Sequence, residues 1–333
     1  DRVQVRLVTD EADAALLILD KRQAGSPVDD TDWQRLFSSD GYRRLQKREA
    51  AMKRPFTDED FKKFVLSDDL LRRAPKLRQT LKEWAAAPMD RPARLALAYL
   101  PEEARIRATV YLEIKPLTNS FVFEVKTDPA IILYLNPEVP REEFENTVAH
   151  ELHHIGYGTR CPSKSDEDLV AKQPVPIQTV AKWSGAFGEG FATLAAAGGK
   201  DVNPHAVGPL ADRQRWDRDV ADFTKNQQEL DLFFRKILKG ELTKDQADEQ
   251  AYSYFGVQGP WYTVGWKMAV TIEQAYGRPR LIQAMCTSAT LFSTYNDAAR
   301  EFSKRRGESL PLWSPEIIEA MAPLEHGTAN KLP

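Results

Sequence analysis

His150-Glu151-Leu152-His153-His154 is the segment of this chain whose residue types and spacing can do chemistry. The pattern is H-E-x-x-H. On a helix it sets two imidazoles one turn apart on one face, where both can reach a single zinc ion, with a glutamate placed to handle a proton. The chain holds only five histidines, and three fall inside this pentapeptide, so the clustering itself separates the segment from scattered surface histidines. The plainer alternative is a helix whose histidines are solvated or hydrogen-bonded and bind nothing.

The flanking residues predict a helix over 141–156. Pro140 suits a first position, and Glu142 and Glu143 suit the positive end of the helix dipole. Phe144, Val148, Leu152 and Ile155 recur at helical spacing as a buried stripe. Gly156 reads as the stop. His150 and His154 share a different face, and Glu151 lies between that face and the stripe. His153 points further round and reads as an exposed residue, or as one that supports a ligand.

Catalytic zinc takes three protein ligands and keeps one open position. A third histidine in the extended protease signature would need glycine at position 157 and histidine at position 160. Tyr157 and Arg160 stand there, which excludes that class. Glu189 is the better candidate. It opens an alanine-rich helical stretch that stops at Gly198-Gly199, and small residues let two helices approach closely. A carboxylate with apolar neighbours is costly unless it has a partner. Asp166, Glu167 and Asp168 compete, but their polar run reads as a solvated loop or a helix start.

His150-Glu151-x-x-His154 followed by Gly188-Glu189-Gly190-Phe191-Ala192 resembles the gluzincin metallopeptidases. The second motif is similar to the Asn-Glu-Gly-Phe-Ala-like stretch of the aminopeptidase N type. Tyr262-Thr263-Val264-Gly265 resembles the Tyr-x-x-Gly of the same group. The resemblance covers roughly residues 141–277, and the overall pattern also resembles uncharacterised bacterial zinc-dependent peptidases. It implies one Zn2+ per chain held by His150, His154 and Glu189, and a tyrosine, Tyr262, that stabilises the transition state. The chain departs from the pattern at Gly188, where the group has asparagine. It departs again at Thr193, where thermolysin-like enzymes carry an aspartate that orients a histidine. No Gly-x-Met-x-Asn segment is present, so the resemblance does not imply aminopeptidase activity.

Zinc lowers the pKa of a bound water to about 7 and polarises a carbonyl. Glu151 is placed to take the proton from water and pass it to a leaving amine. The oxyanion then needs a donor. Tyr262 follows Pro260 at the start of a helix running to about Tyr276 and lies off its stripe of Val264, Met268 and Ile272. By position alone it is a half-buried packing residue; the motif favours the donor role. Tyr254 is the reserve.

Composition bounds the rest. At 333 residues and 42% hydrophobic, the chain can bury one large core or two modest ones. A net charge of −3 and the absence of a basic run with interleaved aromatics exclude a nucleic-acid footprint. No apolar run reaches the ~18 residues of a membrane helix. A start at Asp1 without methionine is the pattern left by a removed signal peptide or by trimming, and the expectation is a secreted or periplasmic protein. Cys161 and Cys286 then form one disulfide, or remain buried thiols.

Residues 1–103 read as a helical N-terminal region, with helices expected over Asp10–Gln23, 32–37, 42–53, Asp58–Val65, 69–86 and 91–100. Arg44, Lys47 and Arg48 read as a solvated helix face. Three β-rich runs follow, 108–114, 121–125 and 130–135. Residues 104–333 read as a zincin-like catalytic region with a small sheet over 104–136, whose edge can pair with an extended peptide. Residues 211–238 read as one long amphipathic stretch. The expectation is an α+β, mostly helical chain that hydrolyses a peptide or protein substrate with zinc. The alternatives are a zinc hydrolase of a non-peptide ester, amide or epoxide, and a catalytically silent peptide-binding protein on the same fold.

Overall fold

The most apolar of the β-rich runs becomes the centre of the only sheet among the described residues, which are 2–307 and 309–328 of a computed structural model. Strand β1 is Val3–Val8, β2 Ile106–Glu113, β3 Phe121–Phe123 and β4 Ala130–Tyr134, in spatial order β1-β2-β4-β3. All of β2 is buried except Arg107, as a strand covered on both faces requires. It pairs parallel with β1, Val3 opposite Ile106, and parallel with β4, Thr109 opposite Ala130. Strand β3 runs antiparallel on β4, Phe121 opposite Ile132. The chain is thus mostly helical with one small sheet, an α+β arrangement.

β1 departs from the expectation of an all-helical N-terminus. Its six residues VQVRLV alternate half-buried and exposed along the first five positions, which is the signature of an edge strand. The run is too short for its period to stand out beside the helix that follows. That helix, Asp10–Gln23, and Asp58–Val65 have the expected bounds. Asp30–Ser38, Asp40–Ala51 and Asp68–Ala85 start a residue or two earlier, because Asp29, Ser39 and Ser67 cap their first turns through side-chain oxygens. The stretch at 211–238 is two helices, Leu210–Ala221 and Phe223–Leu238, joined at Asp222.

Arg44 and Arg48 are not a solvated face. Their side chains are 13% and 11% exposed. Arg44 pairs with Glu124 at 2.9 Å, and Arg48 lies 3.6 Å over the Phe121 ring. Only Lys47 stays outside, paired to the same Glu124. Glu124 has a left-handed backbone, φ 53°, which ends β3 at Phe123 where the sequence predicts two more strand residues.

Two compact units result, Asp1–Ala93 with Arg105–Ile155, and Arg94–Ala104 with Gly156–Pro333. The first contains the sheet, and in it Trp84 stacks on Phe144 at 4.3 Å. The second is helical, with an aromatic core in which Phe187, Phe234, Trp261, Phe292 and Trp313 meet mostly edge to face, for example Phe187–Trp261 at 5.1 Å and Phe292–Trp313 at 4.9 Å. Such ring pairs add about 0.5–1.5 kcal/mol each beyond area burial. No helix among the described residues is long and apolar enough to cross a membrane.

The first unit also buries charge. Glu11 and Glu113 are 1% and 0% exposed. Glu11 accepts one bond, from the Ile114 amide at 2.8 Å, and neither oxygen of Glu113 has a hydrogen-bond partner among the described residues. Both surround Gly41, where an added Cβ would lie 3.0 Å from the Glu11 Cβ and 3.4 Å from Oε1 of Glu113. The buried Lys115 ammonium donates to the Leu117 and Asn119 carbonyls instead of to them. Burial therefore pushes Glu11 up to about 8 and Glu113 well above the carboxylate range. A raised carboxylate favours the folded state while protonated. Its contribution is complete below the unfolded value near 4.5 and is lost as pH rises through about 8. Glu113→Gln removes one of these protons. The melting temperature of the variant minus that of wild type is expected to rise steadily from pH 5 to pH 9 (about 4 units), measured by thermal denaturation across that range. A difference that does not change with pH would refute the buried-proton account.

Candidate metal centre

The helix that carries the histidines runs Arg141–Gly158, one turn-fraction past the expected glycine stop. Phe144, Val148, Leu152 and Ile155 are each at most 1% exposed, so the predicted stripe is the buried one. Glu145 on this helix is held by Arg141 at 2.9 Å and Arg91 at 3.2 Å. His150 and His154 are half-buried, and their Nε2 atoms lie 3.0 Å apart with the rings nearly perpendicular at 79°. Two nitrogens about 2.0–2.1 Å from one tetrahedral ion are separated by roughly 3.3 Å, so the pair suits a shared zinc. His153 is 1% exposed, which corrects the expectation that it faces solvent. The helix is covered on more than its aliphatic stripe, and the His153 ring lies 6.5 Å from that of His154. Glu151 is half-buried.

Glu189 stands in the first turn of a helix over Gly188–Ala197, entered through a tight turn at Gly185–Phe187. Gly198, at φ 90°, ends it with a left-handed cap. Thr193 spends its hydroxyl on the Glu189 carbonyl at 2.8 Å, one turn back, so the residue that replaces the aspartate is occupied within its own helix. One ligand atom from each of His150, His154 and Glu189 falls within 4.8 Å of the other two. Two imidazole nitrogens and a carboxylate oxygen are the donor types zinc accepts in open catalytic sites. The residues present therefore fit the ion.

The competing acids lie elsewhere. Asp166 closes a capping box with Ser163 at the start of the helix Lys164–Ala171, and Asp168 pairs with Lys164 at 2.5 Å. Cys161 and Cys286 are joined as a disulfide.

Tyr262 is half-buried in the first turn of the helix Pro260–Tyr276. Tyr254, the reserve, is a core residue: its ring meets Phe233 at 5.5 Å and Trp261 at 5.7 Å, and its hydroxyl accepts from Gln250 at 2.7 Å. The Tyr262 helix and the Glu189 helix touch backbone to backbone. A Cβ on Gly190 would sit 2.0 Å from the Trp266 amide nitrogen and 2.4 Å from the Tyr262 carbonyl oxygen. A Cβ on Gly265 would sit 2.5 Å from the Phe187 carbonyl oxygen. The small residues around Glu189 predict a close helix approach, and the partner in the structure is the Tyr262 helix.

Residues 33–303 match the model of the family described as "Putative zinc dependent peptidase (DUF5700)". The chain belongs to this family. The match spans the histidine helix, Glu189 and Tyr262, as well as most of the N-terminal helices. No curated protein and no solved structure matches the chain.

The glycine contact has a direct test. Gly190→Ala places a methyl group against fixed backbone and is expected to destabilise by at least about 1–3 kcal/mol, the usual range for overpacking. A Cβ at Gly188 meets nothing within 4 Å, so Gly188→Ala, two residues away on the same helix, is expected to melt at or above the wild-type temperature. Equal melting temperatures for the two variants would refute the close approach.

Proposed function

We propose that this chain is a gluzincin-type zinc peptidase with a zincin-like core, one zinc per chain, and His150, His154 and Glu189 as ligands. The observation that carries the reading is the grouping of those three ligand atoms within 4.8 Å, in a chain of a zinc-dependent peptidase family. When bound, zinc supplies Lewis-acid polarisation of the scissile carbonyl and a more acidic water. Glu151 is the residue that takes the water's proton and returns it to the leaving amine. The Tyr262 hydroxyl donates to the oxygen that gains charge, and the contact of its helix with the Glu189 helix supports that role, because a donor that is already positioned needs no reorganisation during the reaction. The Cys161–Cys286 disulfide supports a secreted or periplasmic site of action.

Metal analysis is expected to find about one zinc per chain. Glu189→Ala should lose most of it; full retention would remove Glu189 from the ligand set. Glu151→Gln keeps the shape of the side chain but cannot accept a proton. It should hold zinc as wild type does and lose hydrolysis by about a hundredfold or more.

Tyr262→Phe removes only a hydroxyl. If that group serves the oxyanion, kcat and kcat/KM fall together by about a hundredfold, with KM and zinc content little changed. A rise in KM alone would make Tyr262 a binding residue.

A further inference from the structure

Tyr262 and Trp266 stand one turn apart on the same face of their helix. Next to them is a polar corner. The Trp266 ring meets Trp216 edge-on at 5.7 Å, and Trp216 meets His205 at 5.3 Å. Trp216 is buried on the helix Leu210–Ala221, with Arg213 and Arg215 in the turn that precedes it.

The buried side-chain atoms of this corner without a hydrogen-bond partner among the described residues are mostly donors; Oε1 of Gln258 and Nε2 of His205 also lack one. Nε of Arg213, Nε of Arg215 and Nε1 of Trp266 are all buried, and none has a hydrogen-bond partner among the described residues. Arg215 is neutralised by Asp212 at 2.7 Å. Arg213 is half-buried and has no carboxylate within ion-pair distance among the described residues; its Nη2 makes one long bond, 3.4 Å, to the Ala206 carbonyl. A half-buried guanidinium whose Nε lacks an acceptor, and an indole N–H that lacks one on the helix packed against Trp216, are both satisfied when an anion fills the corner. Burial also holds His205 below the usual imidazole range, so this ring does not supply a second positive charge at neutral pH. Gln258, which lies against His205, takes a left-handed backbone at φ 60°. A residue with a side chain pays for that conformation, and such strain clusters at binding sites.

We propose that this corner receives a carboxylate of the substrate, with Arg213 as its counter-charge and Trp266 as the wall between it and Tyr262. The proposal rests on the peptidase reading of the Tyr262 site. A peptide can bring such a carboxylate in two ways, as an aspartate or glutamate side chain or as its own C-terminus. Arg213 and its neighbours are specificity residues in this scheme and move no proton.

The test has a binding arm and a cleavage arm, both on the full zinc-loaded chain. In the binding arm, tryptophan fluorescence follows titration with N-acetylglycine against its amide, and with doubly capped glutamate against doubly capped glutamine. The first pair reads a C-terminal carboxylate and the second a side chain. In the cleavage arm, one peptide mixture is offered in acidic and amidated forms of each kind. Wild type is expected to prefer the acid of one pair by tenfold or more, and R213Q to reduce that ratio to near one. R213K keeps the charge and should retain part of the preference; if R213Q does not fold, R213K and the wild-type ratios decide. Equal handling of acids and amides by wild type overturns the proposal, as does a preference that R213Q leaves intact. Arg213-dependent binding of the acids with no turnover of any peptide would uphold the corner and sink only the hydrolytic reading.

Discussion

Gly190 and Gly265 have no space for a side chain, and the arrangement of the helical unit follows from that contact. Two α-helices with ordinary residues at their crossing keep their axes roughly 8–10 Å apart. Here a Cβ at either glycine would fall 2.0–2.5 Å from backbone atoms of the other segment, so the main chains themselves are the packing surfaces. Backbone cannot rotate away as a side chain can. The residue before Gly190 is Glu189 and the one three before Gly265 is Tyr262, so the contact sets both in one register. A carboxylate and a phenol from different helices are thereby set by main-chain contact.

The same unit reinforces this crossing with apolar mass. Trp261, the neighbour of Tyr262, is 0% exposed and donates its indole N–H to the Ala251 carbonyl at 2.8 Å. Phe187, whose carbonyl faces Gly265, is also 0% exposed and packs on Trp261, Phe292 and Trp313. Tyr262 thus sits next in sequence to an anchor in the aromatic core, and Glu189 sits two residues from one. The first unit is built on a different balance. It tolerates Glu11, Glu113 and Lys115 in its interior, and the price is sensitivity to alkali.

The sequence was most legible where chemistry and period coincide. H-E-x-x-H lies on a helix whose apolar stripe could be read from Phe144, Val148, Leu152 and Ile155 alone, and the structure buries those four. Glu189 could be singled out because a charge among Gly, Phe and Ala contradicts its surroundings. His153 was not legible: the aliphatic stripe shows which face is covered by its own type of residue, and not that a second element covers the next face. β1 was missed because six residues give too little period. Arg44 and Arg48 were misread because a helix face rich in arginine looks solvated until distant partners arrive, Glu124 from 80 residues away for Arg44 and the Phe121 ring of β3 for Arg48. Long-range pairing of this kind leaves no local trace.

The end of the histidine helix shows how a site can be stiff before an ion binds. Three residues past His154, the Tyr157 hydroxyl donates to the Met285 carbonyl at 2.6 Å. Cys161, three residues beyond the helix end at Gly158, is bonded to Cys286, the very next residue after Met285. One helix terminus is therefore tied twice to one short segment, once covalently and once by a hydrogen bond. Helix ends fray first, and His154, which holds its ring against His150, stands only four residues from this end. Bonds at 157 and 161 remove that fraying, so less ordering remains to be done when the ligands close on an ion. The tether thus fixes this helix end, and the glycine crossing separately fixes the helix of Glu189, each without an ion.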